Sequence, residues 1–380
     1  MTETWSFFSP TRIVSGDWKL CISQLPVEGS TLLVTTPGFS RRGLTEEWKT
    51  QISNQEITVL DKVTPNPDID QLDAWINQYR SFNISNLIAL GGGSAIDSAK
   101  VLSLFLPSSC DISVSSHFRD QLPLSDTQAL PILAVPTTSG TGAEVTPFAT
   151  VWDFANSRKY SLASDKIAPS VALLDPLLTQ GSPREVTISS GLDAISHAFE
   201  SIWNHNANVL TMTYATKSLS LGLNALSTLA DDLNNIEARR DMQLSSNFSG
   251  LAISSTRTAL AHSISYPLTA RYNLPHGLAC SFTLPALLRF NHIDDDGRLS
   301  RLAIDLGFAD VLELSNHLVS IMRAFGIKDL LSRYLPTTIQ DIYDLKSKMI
   351  SPGRADNNLR TVNENDVEFL LRQSFSTLFS

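Results

Sequence analysis

The stretch NLIALGGGSAIDSAKVLSLFL, residues 86–106, decides the fold. A short apolar run, Leu87–Leu90, passes into Gly91, Gly92 and Gly93 and then into small and apolar residues of helical length. The order is strand, glycine turn, helix. Glycines remove side chains, so backbone N–H groups and a helix N-terminus can approach a phosphate. Ser94 followed three residues later by Asp97 resembles a capping box. The segment is not the G-x-G-x-x-G fingerprint, because Ile96 occupies the last glycine position. Taken alone, a glycine turn that caps a helix explains it as well as phosphate binding does.

The flanking segments repeat the pattern. TLLVTTPG (31–38) reads as strand and turn, SRRGLTEEWKTQI (40–52) as one helix, QEITVLDKV (55–63) as a strand and IDQLDAWINQYRSF (69–82) as a helix. PILAVPTTSGTG (131–142) adds a strand and loop, while TPFATVWD and YSLASDK read as a β-hairpin. This alternation predicts a Rossmann-like parallel sheet covered on both faces. From Ser182 onward helical periodicity dominates, and IEARRDMQLSSNFSGLAISSTRTALAHSIS (236–265) reads as continuous helix. Gly181–Pro183 marks the boundary between an α/β dinucleotide-binding domain, 1–182, and an all-helical domain, 183–380, with a cleft expected between them.

A formal charge of −9 argues against nucleic acid or an anionic membrane as partner, though not against a small anionic substrate. MTETWSFFSPTRIVSG has neither the basic nor the apolar region of a signal peptide. No stretch approaches the roughly 18–20 apolar residues of a membrane helix. Cys21, Cys110 and Cys280 match no metal or disulfide spacing, so they read as small buried residues of a cytoplasmic protein.

A second loop, VPTTSGTGAEVT, sets Thr137, Thr138, Ser139 and Thr141 between Gly140 and Gly142 after an apolar strand. Hydroxyls and exposed amides at a strand end suit a diphosphate or ribose, as well as a turn stabilised by its own side chains. Among seven histidines, His197, His262 and His276 have suggestive neighbours; His117, His205, His292 and His317 read as surface. Asp193 and His197 stand four apart and so share a helix face. One Asp and three His suit iron(II) or zinc, but each residue taken singly also has an ordinary structural explanation.

Taken together, FFSPTRIVSG, GGGSAIDSAK, PTTSGTGAEVTPFATVWD, ALLDP, GLDAISHAFE, AHSISYPL, YNLPHG and NNLR resemble the iron-containing (group III) alcohol dehydrogenases over nearly the whole chain. The resemblance implies Fe2+ or Zn2+ on Asp193, His197, His262 and His276. It implies NAD(P) on Gly92, Gly93, Ser94, Asp97, Thr137, Thr138, Thr141 and Lys159. It also implies a homodimer joined through N-terminal strands, and metal-assisted hydride exchange between an aldehyde and an alcohol. Dehydroquinate synthases share the architecture, but their metal set of one Glu and two His differs.

Two departures bear on specificity. Relatives often place a second histidine four residues after the third ligand, where this chain has Tyr266, which could donate a proton, position substrate or fill space. NAD-preferring relatives tend to carry an aspartate at Thr36; here Arg41 and Arg42 follow, so NADPH is admissible. Tyr266 together with SSTRTALAHSISYPLTA is similar to the branch that reduces phosphonoacetaldehyde or sulfoacetaldehyde. On a continuous helix Ser255 and Thr258 share the His262 face and Arg257 turns away from it, which leaves Arg271 as another candidate for an anionic tail.

Overall fold

The computed structural model describes residues 4–22, 29–52, 56–124, 126–156, 158–336 and 338–379. Residues 1–3 and Gln55, which belong to the N-terminal and second-strand stretches quoted above, lie outside them. The chain separates into two compact units. One is Ser9–Thr138 with Ala143–Thr179; the other is Gln180–Ser380 with Ser139–Gly142 and the segment ending at Phe8. Neither unit is one continuous stretch.

The first unit holds β1 (Arg12–Ser15), β2 (Thr31–Thr35), β3 (Ile57–Leu60), β4 (Asn86–Gly91), β5 (Ile132–Pro136), β6 (Phe148–Asp153), β7 (Arg158–Ala163) and β8 (Val171–Leu174). Six strands form a parallel sheet in the order β1-β8-β5-β4-β2-β3, and β6 and β7 form the antiparallel hairpin expected from the sequence. The strand order reverses between β2 and β4, the switch point where open α/β sheets bind ligands at strand carboxyl ends. Strand alternation splits the core. Leu32, Val34, Leu87, Ala89 and Ala134 pack with the Ile69–Tyr79 and Gly93–Phe105 helices, whereas Leu33, Ile88, Leu90 and Val135 pack with Trp18, Phe39 and Trp48. Each fully buried Leu, Ile or Val contributes about 1.5–3 kcal/mol, so both faces of the sheet are strongly specified.

Two local readings are corrected here. The stretch SRRGLTEEWKTQI is not one helix but parts of two, Pro37–Arg41 and Leu44–Gln51, interrupted at Arg42–Gly43. Ser94 and Asp97 form no capping box: the N-cap of Gly93–Phe105 is Gly92, with no side-chain cap. The Ser94 hydroxyl instead accepts from the Asn66 N–H at 3.2 Å, and the Asp97 carboxylate from the Thr150 N–H at 2.9 Å. Tertiary partners outcompete the local ones.

The second unit is built on the helices Arg184–Ile202, Val209–Asp231, Ile236–Thr256 and Leu260–Tyr272. Asn208 and Thr211 form a reciprocal capping box that starts the second of these. The loop Ser139–Gly142 is pressed on this bundle. Gly142 adopts φ +59°, and a Cβ there would stand 2.4 Å from the Gly250 Cα, so only glycine fits.

The expected continuous helix over 236–265 is broken. Arg257 leaves it with φ +62°, a conformation costly for a residue with a Cβ, and a new helix begins at Leu260. The helical phase that linked Ser255 and Thr258 to the His262 face therefore does not carry across. No helix among the described residues is long and apolar enough to cross a membrane.

Candidate functional site

The helix Arg184–Ile202 supplies Asp193, His197 and Glu200, all buried. Ile195 and Phe199 point away into the helical core and hold the helix in place. His262 lies in the first turn of Leu260–Tyr272, and His276 opens the short helix His276–Ser281. That short helix sits against the first because of Gly277: a Cβ there would fall 1.8 Å from the Ser189 carbonyl oxygen.

One carboxylate oxygen is the focus of the site. Asp193 Oδ1 stands 3.5 Å from His262 Nε2, 3.8 Å from His197 Nε2 and 3.9 Å from His276 Nε2. The far side of two rings is fixed. His262 Nδ1 meets Glu200 Oε2 at 2.5 Å, and the other Glu200 oxygen accepts from the His262 backbone N–H at 3.0 Å. His197 Nδ1 lies 3.3 Å from the Gly140 carbonyl. A carboxylate and a carbonyl can only accept, so both Nδ1 atoms carry hydrogen, and on each ring a deprotonated Nε2 would turn its lone pair toward Asp193. The His197 and His262 rings stack, with centroids 4.6 Å apart.

The electrostatics match. Burial pushes the Asp193 carboxyl up, but the surrounding imidazoles, His197 foremost, outweigh it and hold the group well below the usual carboxylate range. Burial pushes His197 down. Burial opposes protonation of His262, but the Glu200 carboxylate raises it well above its ordinary value. Yet His262 Nε2, fully shielded from solvent, has no hydrogen-bond partner. A buried ionised carboxylate and an orphaned buried imidazole nitrogen are each costly without a compensating cation. The donor set of carboxylate and imidazole therefore fits a divalent transition metal. The His276 side chain is 37% exposed, against 7% and 3% for His197 and His262, so the cluster opens on the His276 side.

Sequence reasoning missed two members. Glu200 fixes His262, and its signal was its place three residues after His197 on one helix. Cys280 is buried with Sγ 3.3 Å from Asp193 Oδ1, and burial pushes its thiol up to about 11. The donor atoms of Asp193, His262, His276 and Cys280 all lie within 4.8 Å of one another, a group that takes in Cys280 and leaves His197 beside it. The statement that no cysteine has metal spacing is thus corrected: His276 and Cys280 stand four apart on one helix face.

In the α/β unit, Thr36 follows β2, Gly92 and Gly93 follow β4, and Thr137 follows β5, so these expected dinucleotide residues collect at the carboxyl ends of adjacent strands. The Thr137 N–H donates to the Gly91 carbonyl, and Thr138 Oγ1 occupies the space that a Gly92 Cβ would enter. Lys159 is exposed on β7, with its ammonium 5.7 Å from the Trp152 ring centroid, and its charge helps offset the burial that raises Asp97. Thr141 groups with the helical unit.

The substrate candidates divide. Tyr266 stands one turn after His262, and its oxygen accepts from Arg354 Nε at 3.3 Å. Thr258 offers its carbonyl to Asn357 Nδ2 at 2.9 Å, and Ser255 is half-buried in the last turn of its helix. Arg257 is exposed at the helix break. Arg271 lies nine residues beyond His262, which is half a turn off its face and about 13 Å along the axis, so it is not brought to the cluster. Its guanidinium sits 5.7 Å from the Tyr272 ring centroid instead.

Residues 10–176 match the family model described as iron-containing alcohol dehydrogenase, and residues 187–375 match the C-terminal model of the Fe-containing alcohol dehydrogenase family. The chain is 34% identical over 262 residues to a phosphonoacetaldehyde reductase of Streptomyces viridochromogenes, covering 68% of this chain and 66%, just under two thirds, of that protein. It is 30% identical to an NAD-dependent methanol dehydrogenase of Bacillus methanolicus, covering 73% and 72% of the two chains. Among solved structures it is similar to sulfoacetaldehyde reductase from Bifidobacterium kashiwanohense in complex with NAD+, with TM-score 0.89, 27% identity and 99% of each chain covered. The chain belongs to the iron-containing alcohol dehydrogenase family.

Proposed function

We propose that this chain is a metal-dependent, NAD(P)H-linked aldehyde reductase whose substrate is a two-carbon aldehyde with an acidic group, phosphonoacetaldehyde or sulfoacetaldehyde. The observation that carries the reaction type is the single buried Asp193 oxygen faced by three imidazole Nε2 atoms, one of them unpartnered. The names of the two reductases to which the chain is similar support the substrate class.

Asp193, His197, His262 and His276 would hold Fe2+ or Zn2+. Gly92, Gly93, Ser94, Asp97, Thr137, Thr138, Thr141 and Lys159 would hold the dinucleotide, and Thr36, being uncharged, admits either NADH or NADPH. When bound, such groups supply Lewis acidity toward a carbonyl oxygen and a hydride for its carbon. The chain's own contributions are distinct from these. Glu200 and the Gly140 carbonyl fix two imidazoles in the ligating tautomer before any ion arrives. Burial of Asp193, His197 and His262 keeps water from competing for the site. Tyr266, whose oxygen accepts from Arg354 and which stands one turn after His262, would position the substrate or supply a proton to the product oxygen. A homodimer is proposed as well, and is read by light scattering.

The test is a panel of phosphonoacetaldehyde, sulfoacetaldehyde, lactaldehyde and butanal run in parallel with NADH and NADPH on metal-loaded protein. The acidic aldehydes are expected to give the highest kcat/KM. Faster turnover of lactaldehyde or butanal refutes the acidic-substrate reading, and an absence of net NAD(P)H consumption refutes the reductase reading in favour of a lyase.

A further inference from the structure

The segment Met349–Asn357 is tied to the His262 helix at three points. Ser263 Oγ donates to the Met349 carbonyl at 2.6 Å and accepts from the Ser351 N–H at 2.8 Å. Asn357 Nδ2 donates to the Thr258 carbonyl, just before the helix begins, and Arg354 Nε donates to Tyr266 Oη one turn after His262. Three anchors at residues 258, 263 and 266 fix the position of Arg354 relative to His262.

Arg354 is half-buried, and its hydrogen-bond partners, the Tyr266 oxygen and the Gly353 carbonyl, are both neutral. Among the described residues no carboxylate pairs with it. Asp356, the acid two residues on, turns its carboxylate to the Gly353 N–H at 2.9 Å instead. By contrast Arg119, Arg298, Arg301, Arg360 and Arg372 each bond a carboxylate within 3.5 Å. A guanidinium presents five N–H donors in a planar fork, so two neutral acceptors leave donors and a full positive charge for an oxyanion. Residues four apart on a helix have Cβ atoms about 5–6 Å apart. Through Tyr266, Arg354 is therefore held one helical turn from a residue of the proposed metal site.

We propose that Arg354, steadied by Tyr266, is the specificity residue that grips the acidic group of the substrate; this rests on the acidic-aldehyde reading above. The ligand class is a tetrahedral oxyanion, phosphonate or sulfonate, taken through charge-assisted hydrogen bonds. Arg257 and Arg271, the candidates read from the sequence, are not needed for it.

The experiment uses metal-loaded, full-length Arg354→Gln and Arg354→Lys beside the wild type, with matched melting temperatures as the folding control. The selectivity of kcat/KM for phosphonoacetaldehyde over propanal is expected to fall about 100-fold in Arg354→Gln, mainly through KM, the size of a lost charge-assisted pair. Arg354→Lys, which keeps the charge but not the fork, is expected to recover part of it. A proportional loss on both aldehydes, or unchanged selectivity, overturns the proposal. Calorimetric binding of 2-hydroxyethylphosphonate separates this from the parent reading. If the wild type turns over propanal faster yet binds the phosphonate, and Arg354→Gln binds it about 100-fold more weakly, the oxyanion site stands and only the physiological substrate is wrong. Equal binding by both proteins removes Arg354 from the site.

Discussion

In the α/β unit Lys100 is completely buried, yet its ammonium donates to Thr146 Oγ1 at 3.1 Å and to the Phe148 carbonyl at 2.7 Å. The buried Asp153 is gripped by Arg119, which reaches Asp70 as well, and Asp97 accepts from the Thr150 amide. In the helical unit Asp193 is also buried, but it faces imidazoles and a thiol, and His262 Nε2 makes no hydrogen bond, with Asp193 Oδ1 3.5 Å away. The first arrangement is complete as protein. The second is one that a cation would complete, and this contrast is what the proposed metal site rests on.

The largest expected effect separates the two regions. Asp193→Asn keeps the shape of the side chain but removes its charge, so metal content of the purified protein should fall to trace level and turnover by more than about 100-fold. Dinucleotide binding, followed by quenching of protein fluorescence, should persist in this variant and in His262→Ala. Loss of both functions together would mean that the regions are not independent.

Next is a pH dependence confined to the α/β unit. Burial pushes Lys100 down from 10.5 to about 8, with Asp97 and Glu144 opposing. Between those values the unfolded chain holds one more proton than the folded one, so stability rises with pH. The penalty for burying the charged lysine is fully present below pH 8 and gone above pH 10.5. Urea unfolding should therefore show a gain of about 3 kcal/mol across that range in the wild type and no such gain in Lys100→Met. Parallel pH profiles for the two proteins would show that Lys100 is charged throughout.

The smallest effect probes how the helical cluster is prepared. Glu200→Gln keeps the bulk beside His262 Nδ1 but not the carboxylate, and should weaken metal binding about 10- to 100-fold by calorimetric titration with zinc. Unchanged affinity would assign the ring's orientation to its stack on His197 instead.

The glycine and threonine loops were readable as turns because their chemistry is local: a strand that runs into Gly91–Gly93 or Thr137–Gly142 ends there by sequence alone. The cluster was readable in part, since Asp193 and His197 share a helix face by spacing. Cys280 and Glu200 were overlooked although His276–Cys280 and His197–Glu200 carry the same kind of spacing, because neither was read against a partner on another helix. Arg354 was invisible. It lies 88 residues from Tyr266, and no periodicity connects a turn to a distant helix face.

The sequence by itself determined the alternation of strand and helix in the first half, the helical second half, the glycine-rich turns and the residue types that can hold a metal. These follow from backbone sterics, hydrophobic period and donor chemistry, which act over a few residues. Only the tertiary structure decided that Ser94 and Asp97 bond to Asn66 and Thr150 rather than cap their helix, and that the long helix breaks at Arg257. It alone placed Arg354, rather than Arg257 or Arg271, beside Tyr266. Each of these is a competition between a local partner and a distant one, settled by which buried polar group would otherwise go unsatisfied.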